Sequence, residues 1–354
     1  MGLDLSALKG RRVLLTGDTG FKGSWLALWL KELGAEVTGI ALAPEHADGH
    51  YRSAGLESLY PHIDHDIRDG EGLAALVAEA RPEVVFHLAA QALVRRSYDD
   101  PKTTFDTNVG GSVNVLEAIR RTPSVRAAVY ITSDKCYRNK EWVWGYRESD
   151  ELGGHDPYSA SKAAAELVVS SYADSFFARR DGFGIASVRA GNVIGGGDWA
   201  QDRIVPDCMR ALRDKRPIVL RNPDATRPWQ HVLEPLGGYL TLACRLLDEP
   251  KRFPGGWNFG PHVASACSVG ELVERIVAAW GSGEIRIERD PNAPHECNLL
   301  HLNTDKAALE LGWHPRWAID QTVRRTVEWY AATLGGADPR ETSLAQIRAY
   351  MEAP

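Results

Sequence analysis

The chain has 354 residues, 44% of them hydrophobic and 25% charged, which is ordinary globular composition with material for a sizeable core. A formal net charge of -6 leaves no global basic field for nucleic acid or an anionic membrane, so any anion site must be local. Cys136, Cys208, Cys244, Cys267 and Cys297 are scattered without a C-x-x-C pair, which argues against a disulfide framework or a zinc site, predicts no metal, and fits a reducing, cytoplasmic compartment. No apolar run reaches the roughly 18 residues of a membrane span, and MGLDLSALKGRR lacks the apolar core of a targeting segment.

In chain order, short apolar runs alternate with helix-length segments. RVLLT at 12–16 reads as a strand, and TGDTGFKG after it sets Gly17, Gly20 and Gly23 at G-x-x-G-x-x-G spacing before the helical FKGSWLALWLKELG. Glycine lets the backbone turn tightly and approach a pyrophosphate, whose charge meets the free N–H groups and positive dipole end of the helix, so a dinucleotide is expected here. Phe21, Trp25, Leu28 and Leu33 fall near one helix face, and Gly34 can end it. AEVTGIAL at 35–42 reads as the second strand. It lacks both the terminal acid that takes a ribose 2′-OH and an Arg for a 2′-phosphate, and charge balance alone favours NAD. Asp66, in HDIRD after the third strand, has two readings: a partner for the adenine amine, or the N-cap of a helix over EGLAALVAEA.

PEVVFHLAA at 82–90 and RAAVYIT at 126–132 continue the strand series. The second leads into TSDKCY, which sets Asp134 beside Lys135 at a strand's carboxyl end, where ligands of open α/β sheets bind. The pair reads either as a surface ion pair capping a loop or as an acid and a base at a reaction site. In YSASK, Tyr158 and Lys162 open a helix four residues apart and so share a face. An ammonium beside a phenol favours the phenolate, which turns a group of ordinary pKa near ~10 into a usable base for a substrate hydroxyl, with Lys162 as its tuner. GIASVRA at 184–190 closes the series, and the alternation predicts an α/β fold with a doubly wound parallel sheet over residues 1–190.

Beyond residue 190 the texture turns to loops rich in Gly, Pro, Arg and Trp (GNVIGGGDWA, RNPDATRPWQ, DPNAPHE), with helices near 202–214, 232–248, 268–280, 318–335 and 341–352. This predicts a smaller lobe over 191–354, with the chain returning to the first domain around 230–260. Between Arg203 and Arg227 stand seven Lys or Arg residues against three Asp, in a chain that is acidic overall. Arg forks two N–H donors onto phosphate oxygens, so Arg221 and Arg227 are expected at a diphosphate, and the remaining cations on a solvated helix face. His231, Trp229 and Glu234 have either a site role or a place in core packing and helix capping.

TGDTGFKG, HLAA at 87–90, Thr132 at its strand end and Y-x-x-x-K together resemble the extended short-chain dehydrogenase/reductase family, over essentially the whole chain. TSDKCY, DPYSASKAAAE, RAGNVIGGGDWA, RPWQHVLEPL and WNFGP narrow the likeness to the branch that removes water from CDP-glucose. The resemblance implies a Rossmann domain with a small C-terminal substrate lobe, tightly held NAD, and CDP-glucose as substrate. It implies Thr132 as the catalytic hydroxyl, Asp134 as an acid at O6 and Lys135 as the base at C5. It implies further cofactor contacts at Phe21, Ile67, Leu88, Ala89 and Ala90, and substrate contacts at Gln91, Ser133, Asn192 and Arg203. Relatives acting on dTDP-glucose carry Asp-Glu where this chain has Asp-Lys. A homodimer, or a tetramer built from it, is implied through the helix of VNVLEAI and the helix carrying Y-x-x-x-K. A nucleotide-sugar 4-epimerase would share the oxidation at C4 but have no use for Asp134 and Lys135, and a non-catalytic NAD-sensing regulator would normally lose Tyr158 or Lys162.

Overall fold

The computed structural model describes residues 3–262, 265–288 and 299–353; Cys297 and the whole DPNAPHE segment lie outside them. Arg12–Thr16 (β1), Glu36–Ala41 (β2), His62–Asp64 (β3), Val84–His87 (β4), Ala127–Ile131 (β5) and Gly184–Ala190 (β6) are strands of one sheet. Val193–Ile194 (β7), Ile218–Leu220 (β8), Thr226–Pro228 (β9) and Gln230–His231 (β10) are short strands outside it, and Gly255–Phe259 (β11) returns to it. The sheet has seven strands in the order β11-β6-β5-β4-β1-β2-β3, all parallel. Ala266–Ser268 (β12) pairs with β9, and Ile285–Ile287 (β13) with β8.

The helices are Phe21–Glu32 (α1), His50–Ser53 (α2), Gly70–Ala80 (α3), Val94–Asp99 (α4), Pro101–Phe105 (α5), Ser112–Arg121 (α6), Pro157–Tyr172 (α7), Ile204–Arg213 (α8), Leu233–Asp248 (α9), Val269–Trp280 (α10), Ile319–Leu334 (α11) and Pro339–Glu352 (α12). Strands buried on both faces read as continuous apolar runs, and β1 shows why: Val13 and Leu15 enter one core, while Leu14 enters the other. The larger core packs α1, α9, α11 and α12 against one face of the sheet, and the smaller packs α3, α6 and α7 against the opposite face. Strand order reverses between β1 and β4, so the crevice at their carboxyl ends is the place where this fold binds ligands.

Helix α1 departs from the one-faced pattern. Every residue from Gly23 to Leu30 is buried, because α1 lies on the sheet beside α9 and is covered on its outer side by α2 and α12. The segment GNVIGGGDW is explained by that layer. A side chain at Gly196 would overlap the Trp329 ring, and one at Gly197, whose φ is +76°, would come within 2.6 Å of His50 Cβ. Trp25 Nε1 donates to Gly196 O and the Tyr330 hydroxyl to Asp198 O, which ties this strap to α1 and α11.

His231 and Glu234 take their structural readings. His231 is fully buried between the Trp25 and Trp317 rings, and burial drives its pKa down to about 3, so it is neutral. Glu234, also buried, accepts from the backbone N–H of Arg316 and Trp317 and from the Tyr350 hydroxyl, anchoring the C-terminal segment on α9. Trp229 is buried among the apolar residues of the larger core.

Burial pushes the Glu234 carboxyl up to about 7 from 4.5, despite those three donors. A carboxyl raised on folding contributes stability that is present below its unfolded pKa and is lost as pH rises through its folded one. Unfolding free energy should therefore decline between about pH 4.5 and 7, and Glu234→Gln should flatten that decline; denaturant titrations across the range read the slope.

Candidate functional site

Three elements converge on the crevice between β1 and β4. The loop after β1 turns at Gly17, whose φ is +78° and where an added Cβ would stand 2.6 Å from Ala89 N; a Cβ at Gly23 would overlap Gly17 O. The loop therefore folds flat against the Leu88–Ala89 backbone. Gly20 is the N-cap of α1, with no side chain capping it and no acid in the first turn, so its N–H groups face the crevice for an anion. Thr16 Oγ1 meets His87 Nδ1 at 2.7 Å and accepts from Ala89 N, while His87 Nε2 meets Ser112 Oγ, which locks the two strand ends together. Phe21 is half-buried beside Gly195, and Ile67 packs on Gly111, where a Cβ would come within 2.5 Å of it.

Asp66 is not the N-cap of α3. Asp69 takes that place, accepting from Gly72 N, while Asp66 accepts from Arg68 N and pairs with the Arg68 guanidinium at 2.5 Å. Near β2 the acid is Asp18, from the glycine loop itself, which turns inward to His62 Nδ1 at 2.9 Å and the Tyr60 hydroxyl at 3.3 Å. Only a glycine at 39 leaves room for it. Asp18 has no exposed surface and burial raises its pKa, so it braces the loop from below.

At the end of β5 the chain makes a tight turn over Asp134–Cys136. Ser133 Oγ accepts from Lys135 N and donates to Asp134 Oδ1 at 2.9 Å. Asp134 is 1% exposed, so the pair is not a surface one: Lys135 Nζ lies 3.9 Å from Asp134 Oδ1, and Asp134 Oδ2 has no hydrogen-bond partner among the described residues. Gly191 keeps space beside that oxygen, since a Cβ there would approach it to 2.7 Å. Helix α7 starts at Pro157 under an Asp156 cap and carries Tyr158 and Lys162, both buried, onto this turn.

Of the two neighbouring hydroxyls, the one expected at the reaction does not meet the phenol. Thr132 Oγ1 donates to Glu166, away from the crevice, whereas the Ser133 hydroxyl stands at the Tyr158 phenol. The phenol is also not simply lowered by Lys162. Burial raises its pKa, and the groups opposing that rise are the Lys135 charge, the Ser133 hydroxyl and Arg203. Lys162 donates weakly to Ile131 O and is itself brought down to about 8 by burial, with Glu166 the first group opposing the drop.

Of the expected substrate contacts, Gln91 is spent on scaffold: its amide serves Leu93 N, Leu93 O and Thr104 Oγ1. Asn192, past β6, is half-buried and its side chain makes no hydrogen bond among the described residues. Arg203 pairs with Asp198 at 2.9 Å and faces the Tyr158 end of the site. Arg227 lies on β9 and donates to Thr226 O, and Arg221 is exposed after β8. Sequence reading missed Lys22. This half-buried residue in the first turn of α1 is lowered to about 8 by burial and by the charges of Lys162 and Arg203, and it senses Asp134 and Lys135 as well. Its place in FKG, just inside a phosphate loop, is the signal that could have found it.

Residues 14–326 match the family described as GDP-mannose 4,6 dehydratase. A CDP-glucose 4,6-dehydratase of Salmonella typhimurium is 48% identical over 99% of both chains. The chain belongs to the GDP-mannose 4,6 dehydratase family, within the extended short-chain dehydrogenases/reductases. A CDP-paratose 2-epimerase of Salmonella typhi is 25% identical over 90% of this chain and 98% of its own length. Among solved structures, the dTDP-glucose 4,6-dehydratase of Bacillus anthracis in complex with NAD superposes with a TM-score of 0.74 at 20% identity, covering 93% of this chain and 99% of its own. A UDP-glucose 4-epimerase of Thermotoga maritima gives 0.76 at 22%, covering 91% and 99%. These likenesses extend the fold to both reaction types, so the site must distinguish them.

The glycine cradle fits a dinucleotide pyrophosphate: two positions that tolerate no side chain, an uncapped helix start and Lys22 beside it. Gly17→Ala places a side chain at positive φ and against Ala89 N, and should weaken NAD binding at least about tenfold by fluorescence titration, with thermal unfolding as the control for folding.

Proposed function

We propose that the chain catalyses the redox-neutral dehydration of CDP-glucose to CDP-4-keto-6-deoxyglucose, with NAD as its cofactor. The observation that carries this reading is the buried Asp134, with one oxygen unpartnered and Lys135 3.9 Å from the other, beside Tyr158. An epimerase needs only the Tyr158 half of this arrangement. The 48% identity to a CDP-glucose 4,6-dehydratase over the full chain supports the substrate.

The crevice between β1 and β4 would hold NAD at Gly17, Gly20, Lys22, Gly23 and the Leu88–Ala90 backbone. NAD bound there would supply the hydride acceptor for C4 and the hydride donor for C6, so none would be consumed. Tyr158, relayed by Ser133, removes the C4 hydroxyl proton. The ketone so formed acidifies the C5 proton, which the unprotonated Lys135 amine takes, while Asp134 in its acid form protonates the C6 hydroxyl and water leaves. Lys135 then returns its proton to C5 as C6 is reduced. Arg203, Arg227 and Asn192 are the groups we assign to the nucleotide diphosphate and sugar, with Arg221 at the rim.

Tyr98, Phe105, Leu167 and Phe176 expose large apolar surface on and beside α4, α5 and α7, which supports a homodimer formed through α6 and α7. The buried free thiols of Cys136, Cys208, Cys244 and Cys267 suit a reducing compartment such as the cytoplasm, and no helix of the described residues is long and apolar enough to cross a membrane. Leu167→Glu should convert the dimer to monomer in sedimentation experiments; an unchanged sedimentation coefficient would remove α7 from the interface.

Purified protein incubated with CDP-, dTDP-, UDP- and GDP-glucose should lose water from CDP-glucose alone, by mass detection, without net build-up of reduced cofactor. Tyr158→Phe should lower turnover by about a hundredfold or more. Lys135→Met should separate the half-reactions: in a single turnover the absorbance of reduced nicotinamide appears, while little product and little solvent deuterium at C5 are found. Asp134→Asn should also stall after oxidation yet still exchange C5, because it keeps the base. Full-rate exchange and product release by Lys135→Met would remove Lys135 from the role of base.

A further inference from the structure

Helix α7 carries one more ionisable side chain on its working face, since Tyr158, Lys162 and Glu166 follow at successive steps of four residues. Glu166 is 4% exposed. Its carboxylate accepts from the Thr132 hydroxyl, from Ser187 Oγ at 2.6 Å and from Arg189 Nη2 at 2.7 Å. Arg189 Nη1 donates in turn to the Tyr137 hydroxyl at 2.6 Å and to Glu148 O at 3.1 Å, and Tyr137 donates to Asn258 Oδ1 at 2.8 Å. Gly256 leaves space for the guanidinium, because a Cβ there would come within 2.6 Å of Nη2. The network therefore joins α7, the end of β5, β6, β11 and the loop that follows the Asp134 turn.

A buried ion pair tends to break even against an apolar replacement, so stability alone does not account for a charged pair here. Two features point to the reaction instead. Thr132 is the residue directly before Ser133, Asp134 and Lys135, and its hydroxyl is fixed by Glu166. The same carboxylate lies one helical turn beyond Lys162 and is not salt-bridged to it, so it acts on Lys162 through space.

We propose that Glu166 is a positioning residue for the oxidation step, its carboxylate fixing the end of β5 through Thr132 and supplying the counter-charge of Lys162. This rests on the dehydratase reading for the step it serves. The groups acting on Lys162 are Glu166 on its own helix, Cys136 on the turn, Lys22 on α1 and His87 on β4, and Tyr158 stands four residues before it on the same helix face. His87 is neutral, held between Thr16 and Ser112, with burial taking it down to about 3. Burial and Lys22 both disfavour the Lys162 cation, and Glu166 is the leading group that favours it. Removing the negative charge should lower the Lys162 midpoint, leaving less of an ammonium that stands one helical turn from the Tyr158 phenol.

The test is the titration of Lys162 in the whole protein, followed by NMR of lysine labelled at the ε carbon and assigned with Lys162→Arg. Glu166→Gln should move the Lys162 midpoint down by about one pH unit, and Glu166→Asp should restore it. With CDP-glucose, the alkaline limb of single-turnover oxidation should move down by the same amount in the Gln variant. Should Glu166→Gln not fold because Arg189 is left unpaired, Arg189→Gln with Glu166 kept removes the opposing cation and should move the Lys162 midpoint up instead. An unmoved Lys162 midpoint in whichever Gln variant folds, or an alkaline limb that stays in place while the rate falls evenly at all pH values, overturns the proposal. If the natural protein never oxidises CDP-glucose, the dehydratase reading falls, and the lysine titration still decides the role of Glu166.

Discussion

The burial of the Glu166–Arg189 pair constrains the structure around it more than any other contact. Neither charge can be left without partners in a layer with almost no water, and so Thr132, Ser187, Tyr137 and Asn258 are all drawn in to satisfy them. Their positions set where β5 ends and where the loop after Cys136 leaves. They also seat β11 beside β6, with glycine at 256 giving way to the guanidinium. The turn that carries Asp134 and Lys135 hangs from this frame, which is why a short irregular segment can hold two titratable groups in fixed relation.

The strands and the glycine loop are legible in the sequence because their signals are local. RVLLT, VVFH, AAVYI and GIASVRA are apolar on both faces, and a loop of glycines between strand and helix has few other uses. What is not legible depends on parity or on partners far along the chain. Ser133 is extended, with φ -161° and ψ 156°, so it and Thr132 point to opposite sides, and nothing in TSDKCY says which side is the crevice. The same holds for Gln91, whose partners at 93 and 104 are close in sequence but need the fold of α4 and α5 to bring them round. Asp18 is braced by residues 60 and 62 and given room by Gly39, an arrangement invisible until β3 lies beside β2. The β11 strand, GGWNF, begins with two glycines, the first at φ +83°, and is too short to announce itself by period.

The acid-base pair and the oxidation base are not electrostatically separate. Lys135 is the leading group that offsets the burial-driven rise of the Tyr158 pKa, and Asp134 acts on Tyr158 in the opposite sense. A charge at this position therefore acts on the oxidation base, and the same side chain, as an amine, can accept the C5 proton. A carboxylate in place of Lys135 would accept the C5 proton but would push Tyr158 up rather than down. The identity of residue 135 thus sets how hard burial must be opposed by other cations. In this chain Lys22, Lys135, Lys162 and Arg203 crowd the same crevice as the buried Asp134 and Asp198, with Glu166 already paired to Arg189, although the protein as a whole is acidic. That local excess of positive charge suits two diphosphates and a phenolate, and it identifies residue 135 as the point where the choice of elimination base feeds back on the first step of the reaction.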